Sequence, residues 1–454
     1  MNVTASRPLA ALALVVLLPA LGTSTANMAL PTLAQVFTAP FALVQWVVLA
    51  YLLSITALIV GVGRLGDMVG KRRLLLVGLA LFTLASALCA AAPSLGVLIA
   101  ARAVQGIGAA VLMALGIALV GAVIPPERTG RAMGLMGSMS AVGTALGPSL
   151  GGWLIALAGW PAIFLVNLPV GLVAWLLVRR HLPADPPKTA SRSFDLVGTT
   201  WLALTLAAYA LAMTPGQGEF GWSNLALLTA AAFGLAVFLR QQSRHPAPLL
   251  RLRMFSDRAL SAGLGASAIV STVVMATLVV GPFYLSRGLG LSPALVGMAV
   301  TAGPAMAALA AIPAGRLVDR LGTQRTTNMG LLGVGLAALC LAVLPMASGV
   351  VGYVAPLMVL TGSYALFQTA NNSAVMAGVA GDNRGVVSGL LNLSRNLGLV
   401  SGASVLGAVF ALGAGDLAQA VPEQVGLGMR LSYAVAAFLA LIGWRVVRGV
   451  KRPG

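Results

Sequence analysis

The feature of this sequence that most constrains its fold is a succession of long apolar stretches with short polar stretches between them. A helix needs roughly 20 predominantly apolar residues to span the hydrocarbon core of a bilayer. We count fourteen such stretches, at about residues 10–34, 42–63, 74–93, 96–122, 130–155, 161–178, 196–214, 223–240, 259–285, 294–315, 326–346, 350–375, 385–412 and 429–447. Charged residues make up 8% of the chain, whereas soluble domains carry about 25%. The sequence therefore predicts an all-α polytopic membrane protein with 14 transmembrane helices.

The net charge of +18 follows the segments between these stretches. If the N-terminus is cytoplasmic, 24 of the 28 Lys and Arg residues lie on the cytoplasmic side, and the other four are Arg102, Arg287, Arg395 and Arg430. This is the positive-inside pattern of membrane proteins, and it predicts that both termini are cytoplasmic. A nucleic-acid-binding protein would instead gather its charge on one soluble face. We therefore expect membrane lipid as a partner and no nucleic acid.

Residues that bind metals or form covalent intermediates are scarce. Cys89 and Cys340 lie in apolar stretches, and His181 and His245 lie in cytoplasmic loops, so no Cys/His cluster offers a metal site. Neither a nucleophile–base pair nor a phosphate-binding loop is apparent. We therefore expect no cofactor, no metal and no enzymatic activity. The first apolar stretch is too long for a signal peptide and has no clear cleavage site, so we interpret it as a retained helix.

One short motif occurs twice. "GRLGDMVGKRR" (63–73) follows the second apolar stretch, and "GRLVDRLGTQR" (315–325) repeats its Gly-Arg-Leu, its Asp and its later Gly 252 residues further on. Internal repeats of this kind are typical of secondary transporters. The repeat predicts two pseudo-symmetric six-helix bundles, at 1–180 and 259–454. Between them, residues 181–258 are predicted to form cytoplasmic linkers with an inserted two-helix hairpin that faces lipid.

The repeated motif is interpreted as a conformational latch. Its glycines permit a tight turn and close approach of helix ends, and Asp67 can accept N–H groups at a neighbouring helix start or pair with an arginine. The alternative is a solvated basic turn that only sets the topology. The latch residues are Gly63, Arg64, Asp67, Gly70, Arg72, Asp319 and Arg320.

A second motif, "LIAARAVQGIGAA" (98–110), places Arg102 inside an apolar stretch with Gln105 on the same helical face. An arginine at the centre of a spanning helix costs roughly 2.5–3.5 kcal/mol, so it is expected to face a cavity or polar partners. The alternative is a structural arginine bonded to carbonyl groups.

The third motif lies in "GLMGSMSAVGTALGPSLGG" (134–152), where small residues recur at helical spacing around a proline. Such spacing lets helices pack closely, and the proline predicts a kink; ordinary helix packing is the alternative. The residues concerned are Gly134, Gly143, Gly147, Pro148, Gly151 and Gly152.

In these three motifs the chain resembles the major facilitator superfamily, in its fourteen-helix drug:H⁺ antiporter branch. Residues 63–73 match the family's cytoplasmic motif, although Met68 replaces the usual basic residue. Leu98, Arg102, Gln105 and Gly106 match a fourth-helix motif, and the resemblance implies a role in proton transfer for it. The glycines and proline of 134–152 match the antiporter motif of the fifth helix. The resemblance covers nearly the whole chain and implies the superfamily's two-bundle fold and export of drugs.

The sequence departs from the branch in "LGTSTANMALP" (21–31), where the usual acidic residue is Gly22. All ten acidic residues lie in loops or at the ends of the predicted helices, whereas Arg102 and Arg395 lie within helices. A lipophilic dication is therefore a poor candidate cargo, because no buried anion would compensate its desolvation. Neutral or anionic amphiphiles suit the chain better. Proton coupling would have to use Asp67, use a titratable substrate, or be absent.

Polar and aromatic residues near the middle of bundle-lining helices are the candidate substrate contacts. For each, the alternative is an interhelical hydrogen bond worth about 0.6 kcal/mol, and Trp46 could instead be an interfacial anchor. The candidates are Asn27, Gln45, Trp46, Tyr51, Gln105, Phe367, Gln368, Asn371, Asn372, Asn392, Arg395 and Asn396.

The leading functional interpretation is a monomeric secondary transporter in the cytoplasmic membrane. It would export drug-like or amphiphilic small molecules by alternating access, coupled to proton antiport through Arg102, Gln105 or Asp67. The first alternative is a uniporter, importer or exporter of one metabolite without proton coupling. An alternative from another class is a non-transporting membrane sensor or assembly subunit.

Overall fold

The structure is a computed structural model that describes residues 3–39, 41–44, 46–125, 129–185, 195–213, 221–245, 248–377, 379, 383–415 and 421–449. These residues form helices and connecting turns, with no β-strand among them. The main helices are α1 (Val3–Val36), α2 (Trp46–Val69), α3 (Lys71–Ala90), α4 (Leu95–Val123), α5 (Thr129–Ala158), α6 (Asn167–His181), α7 (Leu196–Ala212), α8 (Trp222–Arg244), α9 (Arg258–Phe283), α10 (Pro293–Leu321), α11 (Thr323–Val343), α12 (Gly349–Ala377), α13 (Arg384–Ala414) and α14 (Pro422–Arg448).

Twelve helices of the described chain are long and apolar enough to cross a membrane. Helix α5 would be a thirteenth span, although it bends by 44° between its parts Thr129–Gly147 and Leu150–Ala158. Helix α7 is apolar but only 17 residues long. The prediction of an all-α polytopic membrane protein is confirmed, while the count that length and composition support is twelve or thirteen spans.

The chain forms two compact units. Unit 1 comprises Met1–Ala132, Met139–Met254 and Met376–Leu393, and unit 2 comprises Met133–Ser138, Phe255–Val375 and Ser394–Gly454. Helices α5 and α13 are therefore each divided between the units along their length. The predicted division at residues 180 and 258 stays a prediction.

In unit 1, the helices that follow the first bundle pack on it through small residues. Thr199 of α7 lies against Gly61 of α2, where a Cβ would come within 2.7 Å of the threonine methyl group. Helix α8 packs on α7, and its Phe233 and Leu239 stay exposed. The inserted hairpin thus uses α7 to contact α2 and leaves an apolar face of α8 uncovered, as a lipid-facing element would.

In unit 2, three buried tyrosines connect α9, α12 and α14. The Tyr353 and Tyr433 hydroxyl oxygens lie 3.2 Å apart, and the Tyr284 and Tyr353 ring centroids lie 5.6 Å apart. Tyr284 begins a π-helical turn, Tyr284–Gly288, two residues after Pro282. A proline in a helix removes one backbone hydrogen bond, so a change of helix type at this point has a local cause.

The two copies of the repeated motif form helix ends that are separated by a one-residue break. Gly70 alone separates α2 from α3, and Gly322 alone separates α10 from α11. Their φ angles are 107° and 82°. Residues with a side chain rarely adopt such angles, so glycine is what allows each chain reversal without a longer loop.

Candidate functional site

The first charged centre of unit 1 is Asp67, in the last turn of α2. Its carboxylate accepts the backbone N–H of Gly385 at 3.0 Å and that of Val386 at 3.1 Å, and Lys71 Nζ lies 2.8 Å away. The Asp67 side chain is only 1% exposed. Gly385 and Val386 begin α13, where unpaired N–H groups and the helix dipole favour a negative charge. Asp67 therefore caps a helix that begins more than 300 residues further along the chain.

The same contact depends on glycine. A Cβ on Gly63 would overlap the carbonyl oxygen of Gly385, and a Cβ on Gly385 would overlap the carbonyl oxygen of Gly63. The two obstacles are backbone atoms, which cannot move aside as a flexible side chain can. Arg384 adds hydrogen bonds to the carbonyl oxygens of Val379 and Gly121. In unit 1, the end of α2 is thus held on the start of α13 by backbone contact and by charge.

The other predicted latch residues occupy different positions. The Arg72 and Arg73 amides both donate to the Asp185 carboxylate, at 3.0 and 2.9 Å, and Arg72 Nη2 donates to the Arg179 carbonyl at 2.6 Å. Arg64 is buried, whereas Asp319 and Arg320 are exposed in the last turn of α10. Asp185, which caps α3, was missed because nothing in its linker sequence indicates which helix it reaches.

The second charged centre of unit 1 is Arg102, which is 0% exposed. Its Nε donates to the Val47 carbonyl oxygen at 2.8 Å, and its Nη1 donates to Gln105 Oε1 at 2.5 Å. Gln105 Nε2 in turn donates to Ser86 Oγ at 2.6 Å. The structure brings Arg102 and Gln105 together as the helical spacing predicts. It also gives Arg102 the carbonyl partner expected of a structural arginine.

Aromatic rings complete the Arg102 cluster. The guanidinium carbon lies 4.1 Å from the Tyr51 ring centroid and 5.8 Å from that of Phe164. Tyr51 donates its hydroxyl to the Pro19 carbonyl at 3.1 Å. Cation–π contacts are worth about 0.5–2 kcal/mol, more when desolvated. The cluster contains no carboxylate among the described residues, and Arg102 Nη2 has no hydrogen-bond acceptor there.

The neutral polar residues at 23–25 of α1 form hydrogen bonds within α1 and to α5. Thr23 and Thr25 donate to the carbonyls four residues earlier, those of Pro19 and Leu21, and Ser24 donates to the Thr144 carbonyl of α5 at 2.7 Å. A Cβ on Gly22 would lie 3.4 Å from the Phe82 ring, which is ordinary contact. Asn27 is exposed.

The glycines of α5 provide close approach to α1, as small-residue spacing predicts. A Cβ on Gly143 would come within 3.0 Å of Ala20 and of the Leu17 carbonyl, and one on Gly147 would overlap Ser24. Gly151 and Gly152 lie beside Met28. Gly134, in unit 2, packs instead on the backbone of Ala311 and Gly315. The Pro148 side chain lies outside the described residues.

Unit 2 has a cluster of the same composition around Arg395. The Tyr364 hydroxyl interacts with the side chains of Ser271 and Gln368, and the Arg395 charge acts on the same hydroxyl. Arg395 is half-buried. Its Nε has no acceptor among the described residues, and no ion pair to it is found there. Sequence analysis singled out Arg395 and Gln368 but missed Tyr364, which looks like an ordinary aromatic residue of an apolar stretch.

The predicted amide contacts are largely occupied within the protein. Asn371 donates to the Gly263 carbonyl at 3.0 Å, and Asn392 donates to the Met113 carbonyl at 3.1 Å. These bonds match the packing alternative. Asn396 and Phe367 are buried, while Trp46 and Asn372 are half-buried. Gln45 lies outside the described residues.

A family model described as Major Facilitator Superfamily matches residues 12–403 of the chain. The chain belongs to the Major Facilitator Superfamily. The riboflavin transporter RibZ of Clostridioides difficile (strain 630) is 30% identical over 425 residues, which are 92% of each chain. The multidrug resistance protein Stp of Mycobacterium tuberculosis (strain ATCC 25618 / H37Rv) is 32% identical over 409 residues, covering 88% of this chain and 75% of Stp.

The fold agrees with this assignment. The crystal structure of the human organic anion transporter MFSD10 (TETRAN) superposes with a TM-score of 0.71 at 17% identity, covering 98% of this chain and 99% of the other. The prediction of a major facilitator superfamily member is confirmed. The protein is a multi-pass membrane transporter of that superfamily and not an enzyme.

Proposed function

We propose that this superfamily member exports drug-like amphiphiles from the cytoplasm by alternating access, coupled to proton antiport. The observation that carries the proposal is the capping of α13 by Asp67. A residue of the repeated motif there binds the start of a distant helix through hydrogen bonds, which a change of conformation could break. The full-length similarity to Stp, named as a multidrug resistance protein, supports export of drugs.

The proposal includes a fourteen-span topology with cytoplasmic termini in the cytoplasmic membrane, and a monomer. Twelve helices, the bent α5 and the 17-residue α7 would supply the spans. The assignment of α7 as a span is supported by its pairing with α8, whose apolar face is exposed. Cytoplasmic termini are supported by the distribution of Lys and Arg along the chain.

In the proposed cycle, the Asp67 carboxylate holds α2 on α13 in one conformation and releases it in another. The described contacts stabilise the held state by two charge-assisted hydrogen bonds and one ion pair. Hydrogen bonds to a charged group are worth about 1.5–3 kcal/mol each. A latch of this strength can bias a two-state equilibrium and still be overcome by cargo binding.

The proposed cargo is a neutral or anionic amphiphile. Each described carboxylate lies in a loop or in the first or last turns of a helix, namely Asp67, Asp185, Asp195, Asp257, Asp319 and Glu423. Four of them accept backbone N–H groups at helix starts, those of α13, α3, α7 and α9. Their charge is committed to helix ends, so a cationic cargo would meet no counter-ion among the described residues in the middle of the spans.

A second candidate function is transport of one metabolite without proton coupling. It is favoured by Gly22, since the first helix carries no carboxylate near the Arg102 cluster, and by the similarity to RibZ, named as a riboflavin transporter. A non-transporting sensor is the weaker alternative, because relatives named for transport and drug resistance match most of the chain.

The test is transport in liposomes with an imposed pH gradient, with neutral, anionic and cationic dyes assayed in parallel. We expect gradient-driven movement of the neutral and anionic dyes, with the cationic dye slowest. Transport that persists after the gradient is collapsed would select the uniporter. Rapid gradient-driven transport of the cationic dye would overturn the proposed cargo class, and no transport of any compound, riboflavin included, would favour the sensor.

A further inference from the structure

Arg395 is a cation near the middle of a spanning helix without a partner in the described chain. It is the twelfth residue of α13, so it lies about 16 Å from the start of the helix at 1.5 Å per residue. That is about half the thickness of the hydrocarbon core. A charge at this depth is costly unless a cavity or a partner compensates it, so an unpaired arginine here is a functional site by default.

The surroundings of Arg395 show that the arginine is accessible rather than sealed. Its side chain is half-buried, while its Nε is buried and lacks an acceptor. One turn further along the same face, α13 packs tightly on α9: a Cβ on Gly398 would overlap the Ala268 carbonyl, and Thr272 donates to the Gly398 carbonyl at 3.0 Å. Close packing on α9 fixes the backbone of α13. The Arg395 guanidinium is then the group that can adjust its position to a ligand.

Neutral hydrogen-bonding groups flank this arginine. The Tyr364 hydroxyl is close enough for the Arg395 charge to act on it, and it also interacts with Ser271 and Gln368. A guanidinium beside a phenol and an amide can donate two parallel hydrogen bonds to two oxygens of a carboxylate or a sulfonate, and the buried Arg395 Nε lacks an acceptor among the described residues. None of these neighbours can supply the missing negative charge.

We propose that Arg395, with Tyr364 and Gln368, binds the anionic headgroup of the cargo. This inference rests on the proposed function, because it assumes that the protein transports a cargo. It narrows the proposed cargo from neutral or anionic amphiphiles to amphiphiles that carry one carboxylate or sulfonate group. The apolar remainder of the molecule would lie against the apolar side chains of unit 2. Chloride shares the charge of such a headgroup but lacks its paired oxygen acceptors and its apolar part.

The test is binding to the full-length protein in nanodiscs, with 1-anilinonaphthalene-8-sulfonate and the uncharged N-phenyl-1-naphthylamine as matched fluorescent probes. Empty nanodiscs give the lipid background. We expect Arg395→Gln to weaken sulfonate binding by about tenfold to hundredfold, as for loss of charge-assisted hydrogen bonds. Binding of the uncharged probe should not change. Arg395→Lys should recover part of the affinity, because it restores the charge without the planar donors.

The proposal would be overturned if wild type and Arg395→Gln bound the sulfonate with equal affinity. It would also be overturned if millimolar chloride abolished the difference in sulfonate affinity between the two proteins. If Arg395→Gln does not fold, Tyr364→Phe tests the same site, and we expect a several-fold loss for the sulfonate alone. Binding is measured without transport. If sulfonate binding depends on Arg395 but the protein transports nothing, the proposed function is refuted and this inference stands. If the protein transports anions and neither binding nor transport depends on Arg395, the proposed function stands and this inference is refuted.

Discussion

Arg102 in unit 1 and Arg395 in unit 2 have similar neighbours but different surroundings. Each is a mid-helix arginine beside a tyrosine, a glutamine and a serine, and neither has a carboxylate partner among the described residues. Arg102 is 0% exposed, with three of its contacts made by Val47, Gln105 and Tyr51. Arg395 is half-buried, and its buried Nε has no hydrogen-bond acceptor among the described residues. Identical residue types thus serve packing in one unit and are available for binding in the other.

The difference comes from which groups surround the guanidinium. The carbonyl of Val47 and a stacked tyrosine replace water around Arg102, so that charge is held inside the packed helices. Around Arg395, the Tyr364 hydroxyl and the Gln368 amide interact with one another, so the Arg395 cation can bind a further partner. Removing the two arginines should therefore affect different properties, stability in unit 1 and binding in unit 2.

The largest expected effect follows from Arg102→Ala. The substitution leaves a cavity and deprives the Val47 carbonyl and Gln105 of a donor, which should destabilise the protein by about 2–5 kcal/mol. Its thermal unfolding midpoint in detergent should fall by several degrees. Arg395→Ala is the matched control, with an expected change of about 0.5 kcal/mol, typical of side chains outside the packed core. Equal midpoints for the two variants would remove the distinction between the arginines.

The next effect concerns Asp67, the carboxylate that caps α13 in unit 1. Asp67→Asn removes the charge that Lys71 and the start of α13 stabilise, so the latch should weaken by about 1.5–3 kcal/mol. We expect transport to slow about tenfold while sulfonate binding at Arg395 stays unchanged, measured by dye efflux and by probe fluorescence. Asp257→Asn, which alters an exposed cap at the start of α9, is the control. If both variants transport like wild type, the repeated motif only sets topology.

A smaller effect is expected from the two glutamines. Gln105→Leu leaves the buried Nη1 of Arg102 without its acceptor, at a cost of about 1–3 kcal/mol, which should lower the unfolding midpoint. Gln368→Leu removes a half-buried amide whose tyrosine partner also has Ser271, so its midpoint should change little. A larger loss from Gln368→Leu would show that the Arg395 cluster, too, is structural.

The smallest expected effect is a change of preference after Gly22→Asp. A Cβ at this position makes ordinary contact with the Phe82 ring, so the side chain should be accommodated. The added carboxylate places an anion near the middle of α1, a position that no described carboxylate of unit 1 occupies, and efflux of a cationic dye should rise a few-fold relative to an anionic one. Gly22→Asn, which has the same shape without the charge, is the control. A rise in both variants would mean that shape and not charge selects the cargo.

Much of the helical architecture could be predicted from the sequence. Each apolar stretch corresponds to one of the main helices, because the length needed to span a bilayer and the exclusion of charge leave few alternatives. The turns at Gly70 and Gly322 were also predictable, since a positive φ angle favours glycine. Arg102 and Gln105 share a cluster because residues three apart on a helix face the same way. These are local properties, and local sequence is enough to specify them.

The partners of the charged groups were decided only by the tertiary structure. No pattern around Asp67 indicates that its hydrogen bonds reach Gly385, and none around Asp185 indicates that it caps α3. Nor does the sequence distinguish a sealed Arg102 from an accessible Arg395, because both are arginines within apolar helices. Burial and hydrogen bonding depend on which helix packs alongside, and that depends on contacts between residues far apart in the chain. The sequence by itself determined the helices, the turns and the absence of acidic residues from the middle of the predicted helices, whereas helix packing decided which arginine is enclosed by carbonyl, amide and ring contacts and which one stays half-buried.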